Sequence, residues 1–337
     1  MVNIKEKIYQ MFILGLEGLE LEKNPNLVNA LQNGLGGVIF FTQNIKTIDQ
    51  FKELILDIKK KSMFSPFLSI DQEGGRVERT ENIFAGKKYL SAKFAAQKGE
   101  TFLRKQTEQI SGLLNNFGIN LNFAPVVDVN TNPDNPIIGV RAFSNDTDEV
   151  IKFGKIVTET YIENGITPCL KHFPGHGDAS VDSHIALPKM ELSLEEMEKT
   201  HIRPFKEIES PMIMIAHMHC SAFDKEELPT SLSKNAIDYL RGKLGYKGLI
   251  ITDDMDMGAI SEKWNKTSRS SQLTAHSSPI QAIKAGANIL LYRNSDEETI
   301  QIIEEIAQIA LEDEELFNNI NKSFEMINTY KSNSFAP

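Results

Sequence analysis

The chain has 337 residues, of which 41% are hydrophobic and 24% charged, a composition typical of a globular protein. Its formal net charge of -10 and its pI near 5.3 argue against nucleic acid as the main partner. No apolar stretch approaches the length of a membrane span, and the first residues carry no long apolar segment. We therefore expect no membrane partner and a cytoplasmic location. Cys169 and Cys220 are too few for a disulfide framework and are expected to be buried free thiols.

Eight short apolar runs recur along the chain and predict β-strands. They cover residues 11–14, 37–41, 67–70, 121–123, 169–171, 212–216, 249–252 and 289–291. Helical signals fall between them. Capping boxes begin at Thr47, Ser193 and Ser295, and a last helical pair is predicted after residue 294. Five glycines stand where helices should stop, namely Gly34, Gly118, Gly165, Gly245 and Gly286.

Alternation of eight strands with helices is the pattern of an α/β (β/α)8 TIM barrel. No change in composition divides the chain, so we expect one catalytic domain over residues 1–337. The stretch at about 262–278, after the seventh strand, is polar and lacks periodicity. It predicts a long loop, interpreted either as a lid over the site or as a surface insertion.

Catalytic residues of such barrels lie at the carboxyl ends of the strands. The polar residues predicted there are Asp71, Glu73, Arg76, Asp128, Asn130, Arg141, Lys171, His172, His217, His219, Asp253 and Asp254. Single members of this set could be turn or cap residues, but so many charges at one barrel face indicate a functional site. Asp71, Arg79, Arg141 and Lys171 form a donor and acceptor set suited to a polyhydroxylated ligand such as a sugar. Salt bridges among themselves are the alternative, and the two are compatible.

Ionisable side chains are most concentrated in the run from Lys171 to Gly177 and in the Asp182-Ser183-His184 segment that follows. Glycines and a proline exclude a regular helix, so the run is predicted to be a loop at a strand end. A carboxylate beside an imidazole raises the imidazole pKa, and Asp182 with His184 could donate a proton to a leaving group. A purely structural pair stays open on spacing alone.

Asp253 ends a buried apolar strand abruptly and is predicted to point into the barrel mouth as a nucleophile, general base or metal ligand. Asp254 suits a cap of the next helix. Six of the seven histidines lie between His172 and His219, which invites a metal interpretation. The Pro-Gly pair between His172 and His176 prevents the one-turn helical spacing of zinc-protease ligands, so a metal hydrolase is the lesser hypothesis.

Several segments together resemble the β-N-acetylhexosaminidases of glycoside hydrolase family three. They are residues 71–79, 122–129, 135–143, 171–184 and 252–254, and the resemblance extends from about residue 11 to 293. The Lys-His-Phe-Pro-Gly-His-Gly run with its trailing Asp-x-His is specific for the N-acetylglucosaminidase branch, whose members include single-domain enzymes. The resemblance implies a carbohydrate substrate, no cofactor and no metal.

The same resemblance implies individual roles. Asp253 matches the catalytic nucleophile, His184 the acid/base and Asp182 its dyad partner. The terminal sugar would be held by Asp71, Arg79, Arg141, Lys171 and His172. His176 receives no role, and the oligomeric state is not readable. The chain departs from the common pattern at Ala142 and Asn288, where Ser and Asp are usual, and neither is a catalytic position. Substrates would be cell-wall peptidoglycan fragments or chitooligosaccharides.

Overall fold

Parallel strands close into a barrel in the computed structural model, which describes residues 2–84, 88–179, 187–261, 273–274 and 276–334. The strands are β1 Phe12–Leu14, β2 Gly37–Phe40, β3 Phe67–Ile70, β4 Leu121–Asn122, β5 Thr167–Phe173, β6 Lys189–Met190, β7 Met212–Ile215, β8 His219–Cys220, β9 Leu249–Asp254 and β10 Ile289–Tyr292. Around the barrel the order is β1-β10-β9-β7-β5-β4-β3-β2, and β6 pairs separately with β8. Every barrel pairing is parallel.

Helices connect and surround the barrel strands. They are α1 Ile4–Gln10, α2 Pro25–Gln32, α3 Ile48–Lys61, α4 Ala92–Gln97, α5 Glu100–Phe117, α6 Thr147–Glu163, α7 Leu194–Lys199, α8 Arg203–Glu207, α9 Lys234–Asp238, α10 Gly258–Ser261, α11 Ser278–Ala285, α12 Glu297–Ile309 and α13 Glu314–Ser334. The predicted (β/α)8 barrel is thereby confirmed, and all eight predicted strands are barrel strands. The pair β6 and β8 was not predicted, because two-residue strands leave no periodic signal.

The helix-end signals were largely correct. Thr47 caps α3, and Ser193 forms a complete capping box with Glu196 at α7. The box assigned to Ser295 was wrong by one residue: Asp296 is the N-cap of α12, and its side chain accepts from Thr299 N and Oγ1. All five predicted stop glycines have positive φ angles. Much of the predicted 262–278 loop lies outside the described residues.

The amino end of the barrel is sealed by the last turns of α13. The Tyr330 hydroxyl lies 2.8 Å from Thr167 Oγ1, and its ring stacks on Phe67. Lys331 Nζ lies 4.7 Å from the centre of the Phe67 ring and donates to Gln10 Oε1 and the Gly36 carbonyl. These partners stand at the starts of barrel strands or just before them. The last turns of α13 therefore cover this end of the barrel, opposite the carboxyl ends of the strands where catalytic residues of such barrels lie.

Two further expectations concern sulfur and membranes. Cys169 and Cys220 are both buried and free, as predicted, and burial raises the pKa of each thiol. Within the described ranges, no helix combines the length and the apolar character that a membrane span requires.

Candidate active site

A cavity of about 180 Å³, here called the mouth cavity, lies at the carboxyl ends of the barrel strands. Its walls include six residues predicted from sequence, namely Asp71, Arg79, Arg141, Lys171, His172 and Asp253. They follow or end four different strands, β3, β4, β5 and β9. The barrel therefore brings them together although they are far apart in sequence. The predicted dyad, Asp182 and His184, lies outside the described residues.

A buried ion cluster forms the floor of the cavity. Arg141 binds Glu73 with two hydrogen bonds, from Nε at 2.8 Å and from Nη2 at 2.7 Å. Lys171 Nζ lies 2.6 Å from Asp71 Oδ1 and 2.7 Å from Glu73 Oε1. The Lys171 side chain is only 2% exposed and that of Glu73 only 6%. Each of these buried charges thus has at least one partner of opposite sign. The ion pairs also link residues that follow β3 and β4 to β5, which holds their side chains in place.

Glu73 was missed as a site residue by the sequence reasoning, which named it only among the polar residues after the third strand. Burial acts to raise its pKa, but Arg141 and Lys171 outweigh burial and hold the pKa well below the usual range. The available signal was its spacing from Asp71, since residues two apart in extended chain point the same way. Within the predicted set of Asp71, Arg79, Arg141 and Lys171, salt bridges do join Asp71 to Lys171 and to Arg79, whereas Arg141 pairs with Glu73.

Arg79 stands at the outer edge of this cluster. Its guanidinium lies 3.8 Å from Asp71 Oδ2 and 5.6 Å from the centre of the Phe41 ring. Gln72 fixes its backbone, because Gln72 Oε1 accepts from Arg79 N while Gln72 Nε2 donates to the buried Glu78. The Arg79 Nε atom has no hydrogen-bond partner among the described residues. This leaves a positioned donor beside the cavity.

Asp128 organises the segment from His172 to His176. Its Oδ2 lies 2.8 Å from His172 Nδ1, and its Oδ1 accepts from the backbone N–H groups of His172 and His176. Asp128 has no exposed surface. Burial acts to raise its pKa, but His172 and His176 outweigh burial and lower it, so the carboxylate is ionised. The sequence reasoning placed Asp128 at the barrel mouth but gave it no role.

Close packing explains the two glycines of the turn. A Cβ on Gly175, whose φ is +124°, would lie 2.7 Å from His201 Cβ. A Cβ on Gly177 would lie 1.8 Å from the Val129 carbonyl oxygen. Only glycine allows the turn to pack this tightly. His176 is consequently fixed and 2% exposed, and burial lowers its pKa.

Asp253 occupies the next-to-last position of β9, one residue beyond the predicted end of that strand at Thr252, and its Oδ1 accepts from Asp254 N at 2.8 Å. Burial acts to raise its pKa, but His172, His217 and Lys171 outweigh burial and lower it. His217 Nε2 lies 3.0 Å from the Asp254 carbonyl oxygen, and its Nδ1 lies 2.7 Å from Ser231 Oγ. His217 therefore links the end of β9 to Ser231. An ionised carboxylate facing the cavity is suited to attack an electrophilic carbon.

Asp254 does not cap the following helix, and that prediction was wrong. The helix α10 begins at Gly258, and the Asp254 carboxylate instead accepts from Asp256 N and Arg293 N. Among the described residues, the cationic side chain beside it is Arg293, whose Nε lies 3.6 Å away. Burial and the nearby Asp256 raise the pKa of Asp254 to about 7, and burial raises that of Asp256 to about 6.

No three His, Cys, Asp or Glu side chains within the described part of the chain are grouped so that they could hold a metal ion. His172 and His176, the pair that suggested a metal, have ring centres 6.1 Å apart. The Nδ1 atom of His172 is occupied by Asp128.

Comparisons with known proteins agree with one another. A family model described as the glycosyl hydrolase family 3 N terminal domain matches residues 3–328. A protein named β-hexosaminidase A from Pseudoalteromonas piscicida is 36% identical over 281 residues, covering 76% of this chain and 45% of that protein. A protein named β-hexosaminidase from Haemophilus influenzae is 30% identical over 303 residues, covering 87% of this chain and 82% of that protein.

A solved structure gives the same relationship. The glycoside hydrolase family 3 β-N-acetylglucosaminidase from a Paenibacillus species matches with a TM-score of 0.88 and 30% sequence identity. The match covers all of this chain and 64% of that one. The chain thus spans less than two thirds of this structure and less than half of the Pseudoalteromonas protein, but most of the Haemophilus relative.

Proposed function

This chain belongs to glycosyl hydrolase family 3, and we propose that it is a retaining exo-β-N-acetylglucosaminidase. The family match over residues 3–328 confirms the resemblance predicted from sequence. The proposed reaction removes terminal, non-reducing β-linked N-acetylglucosamine. The observation that carries the proposal is the Asp253 carboxylate lining a cavity whose floor is a buried cluster of paired ions.

Asp253 is the proposed nucleophile. Its oxygen attacks the anomeric carbon, the bond from that carbon to the leaving oxygen breaks, and a covalent glycosyl-aspartate forms. A carboxylate is a competent nucleophile only when it is ionised, and the pKa of Asp253 is lowered. Hydrolysis of the intermediate from the same face as the leaving group gives net retention of configuration.

His184, with Asp182, is the proposed acid/base. Protonated His184 gives its proton to the leaving oxygen, and neutral His184 later removes a proton from the attacking water. This assignment rests on the family resemblance. The described residues support it indirectly, because the His172–His176 turn that leads toward this segment stands at the mouth cavity.

The proposed sugar-binding set is Asp71, Arg79, Arg141, Lys171 and His172. Charged donors and acceptors held in fixed positions bind hydroxyl groups with high directionality. They also cost no reorganisation during the reaction, since their geometry is set by the protein itself. This is the expected environment for a ring that must bind in one orientation.

Replacement of Asp253 tests the proposal most directly. Asp253→Ala should lower kcat/KM for 4-nitrophenyl N-acetylglucosaminide by more than about 10⁴-fold, because the variant lacks the carboxylate proposed to form the covalent bond. A slow fluorinated N-acetylglucosaminyl substrate should add the mass of one sugar to the peptide containing Asp253. Activity retained in Asp253→Ala, or a label elsewhere, would contradict the assignment.

A second experiment addresses His184. The 4-nitrophenolate group leaves without protonation, so His184→Ala should cost about 10-fold with the aryl substrate and about 10²–10⁴-fold with chitobiose. Equal losses with both substrates would remove the acid role. An imidazole also repels incoming anions less than a carboxylate does, so we expect some sugar phosphate when inorganic phosphate is present.

Two alternatives differ in their observable behaviour. A metal-dependent hydrolase would lose activity in a chelator, whereas the proposed mechanism predicts full activity in 5 mM EDTA. A sugar-binding protein without catalysis would bind N-acetylglucosamine but release no 4-nitrophenol. A direct comparison of a muropeptide fragment with chitobiose would distinguish cell-wall recycling in the cytoplasm, which we favour, from chitooligosaccharide degradation.

A further inference from the structure

One buried carboxylate holds two histidines: His172, near the end of β5, and His176, in the turn that follows that strand. Asp128 accepts from His172 N at 3.2 Å and from His176 N at 2.7 Å, and its other oxygen lies 2.8 Å from His172 Nδ1. The segment around Asp128 runs alongside β5, since Val126 pairs with Lys171. Asp128 has no exposed surface, so it does not reach the sugar directly.

The contacts of Asp128 decide which nitrogen of His172 is available to a ligand. An ionised carboxylate only accepts hydrogen bonds, so the facing Nδ1 atom must carry a proton. The remaining nitrogen, Nε2, is then the one left for the mouth cavity, which His172 lines. A carboxylate behind an imidazole also fixes the plane of the ring.

We propose that Asp128 is a positioning residue for catalysis, which keeps His172 protonated on Nδ1 and presents Nε2 to the substrate. It does so while anchoring the His176 turn through the same carboxylate. The proposal rests on the assignment of His172 to sugar binding, and it adds the group that sets the orientation and proton arrangement of that ring.

Asp128→Asn is the most informative substitution. The asparagine has the shape of aspartate, and its carbonyl oxygen can still accept from the two backbone N–H groups. Its amide nitrogen, however, would face His172 Nδ1 as a donor. The ring would then carry its proton on Nε2, which reverses the polarity presented to the cavity.

Nuclear magnetic resonance of ¹⁵N-labelled histidine reads this change without any assay of activity. The His172 signals, assigned from their absence in His172→Asn, should indicate a protonated Nδ1 in the wild type at pH 7. In Asp128→Asn they should indicate a protonated Nε2 and a bare Nδ1. A wild-type His172 without a proton on Nδ1 would overturn the proposal, whatever the variant does.

Kinetics provide the second readout. Asp128→Asn should lower kcat/KM by about 10- to 100-fold, the range for loss of one charge-assisted hydrogen bond. In a His172→Asn background the same substitution should cost less than about threefold, since the ring it positions is gone. Equal losses in both backgrounds, or an unchanged tautomer with lost activity, would mean a purely structural role.

Asp146→Asn is the matched control. Asp146 caps the exposed start of α6 by accepting from Glu149 N, and asparagine caps equally well. Its histidine spectrum and kcat/KM should equal those of the wild type. If the protein proved to have no glycosidase activity, the spectra of wild type and Asp128→Asn would still test the positioning of His172 by themselves.

Discussion

Buried carboxyl groups on the two sides of the mouth cavity have pKa values shifted in opposite directions. On the β3–β5 side, Glu73 and Asp128 are enclosed by donors, and their pKa values are lowered despite burial. On the β9–β10 side, Asp254 and Asp256 share one half-exposed cationic neighbour, Arg293, and burial together with nearby carboxylates raises their pKa values. The same residue type is therefore a fixed anion on one side and a titrating group on the other. The sign of the neighbouring charges decides which, since cations and imidazoles lie beside the first pair and carboxylates beside the second.

The largest effect is expected on the paired side. Glu73→Gln removes the anion that Arg141 and Lys171 share, so two buried cations lose a close partner. We expect the free energy of unfolding to fall by about 3–5 kcal/mol and kcat/KM to fall by at least about 100-fold. Urea denaturation and the 4-nitrophenyl assay measure these changes.

Glu81→Gln is the control for that substitution. Glu81 also pairs with a lysine, Lys88 at 2.7 Å, but both side chains are at least 36% exposed. Exposed pairs contribute less than about 1 kcal/mol, so the loss of stability should be several times smaller than for Glu73→Gln. Similar losses in the two variants would contradict the contrast between buried and exposed pairs.

An intermediate effect with the opposite sign is expected on the crowded side. Because the pKa of Asp254 is raised to about 7 in the folded protein, its contribution to stability is complete below its unfolded pKa near 4. That contribution is lost as the pH rises toward 7. Asp254→Asn should therefore raise Tm by about 2–5 °C at pH 8 and hardly change it at pH 4.5. A shift of equal size at both pH values would refute this assignment.

The smallest effect is expected for Arg293→Gln. Arg293 is half-exposed and lies 3.6 Å from Asp254, so the pair contributes less than about 1 kcal/mol. We expect Tm to change by less than about 3 °C and kcat/KM for the aryl substrate to change by less than about threefold. A loss above tenfold would show that Arg293, which lines the cavity, binds the sugar itself.

Sequence patterns were sufficient to predict strands and helix starts, because these depend on residues that are close together in the chain. An apolar run of four residues such as Phe67–Ile70 must be buried on both faces, so it predicts a barrel strand. Ser193 followed by Glu196 predicts a helix start because both partners lie within one turn. The cap at Asp296 was displaced by one residue because Asp, Ser and Thr compete for the same position within five residues.

The site residues also divide into those that could be found from neighbouring residues and those whose role depends on distant partners. Lys171, His172 and Asp253 could be found because each interrupts an apolar strand, which a core residue would not do. Glu73 and Asp128 received no role, since their importance lies in partners that are distant in sequence: Arg141 is 68 positions from Glu73, and His172 is 44 positions from Asp128. Asp254 was misassigned because its carboxylate accepts from Asp256 N and from Arg293 N, which is distant in sequence, and not from the next helix.

The sequence by itself determined the barrel, the end of it that carries chemistry, and the residue types gathered there, because hydrophobic periodicity and strand-end polarity are properties of adjacent residues. Only the tertiary structure decided which carboxylates are fixed anions and which titrate. That outcome depends on burial and on donors contributed by other strands. Asp253 and Asp254 are neighbours in the chain, yet the first has a lowered pKa and the second a raised one.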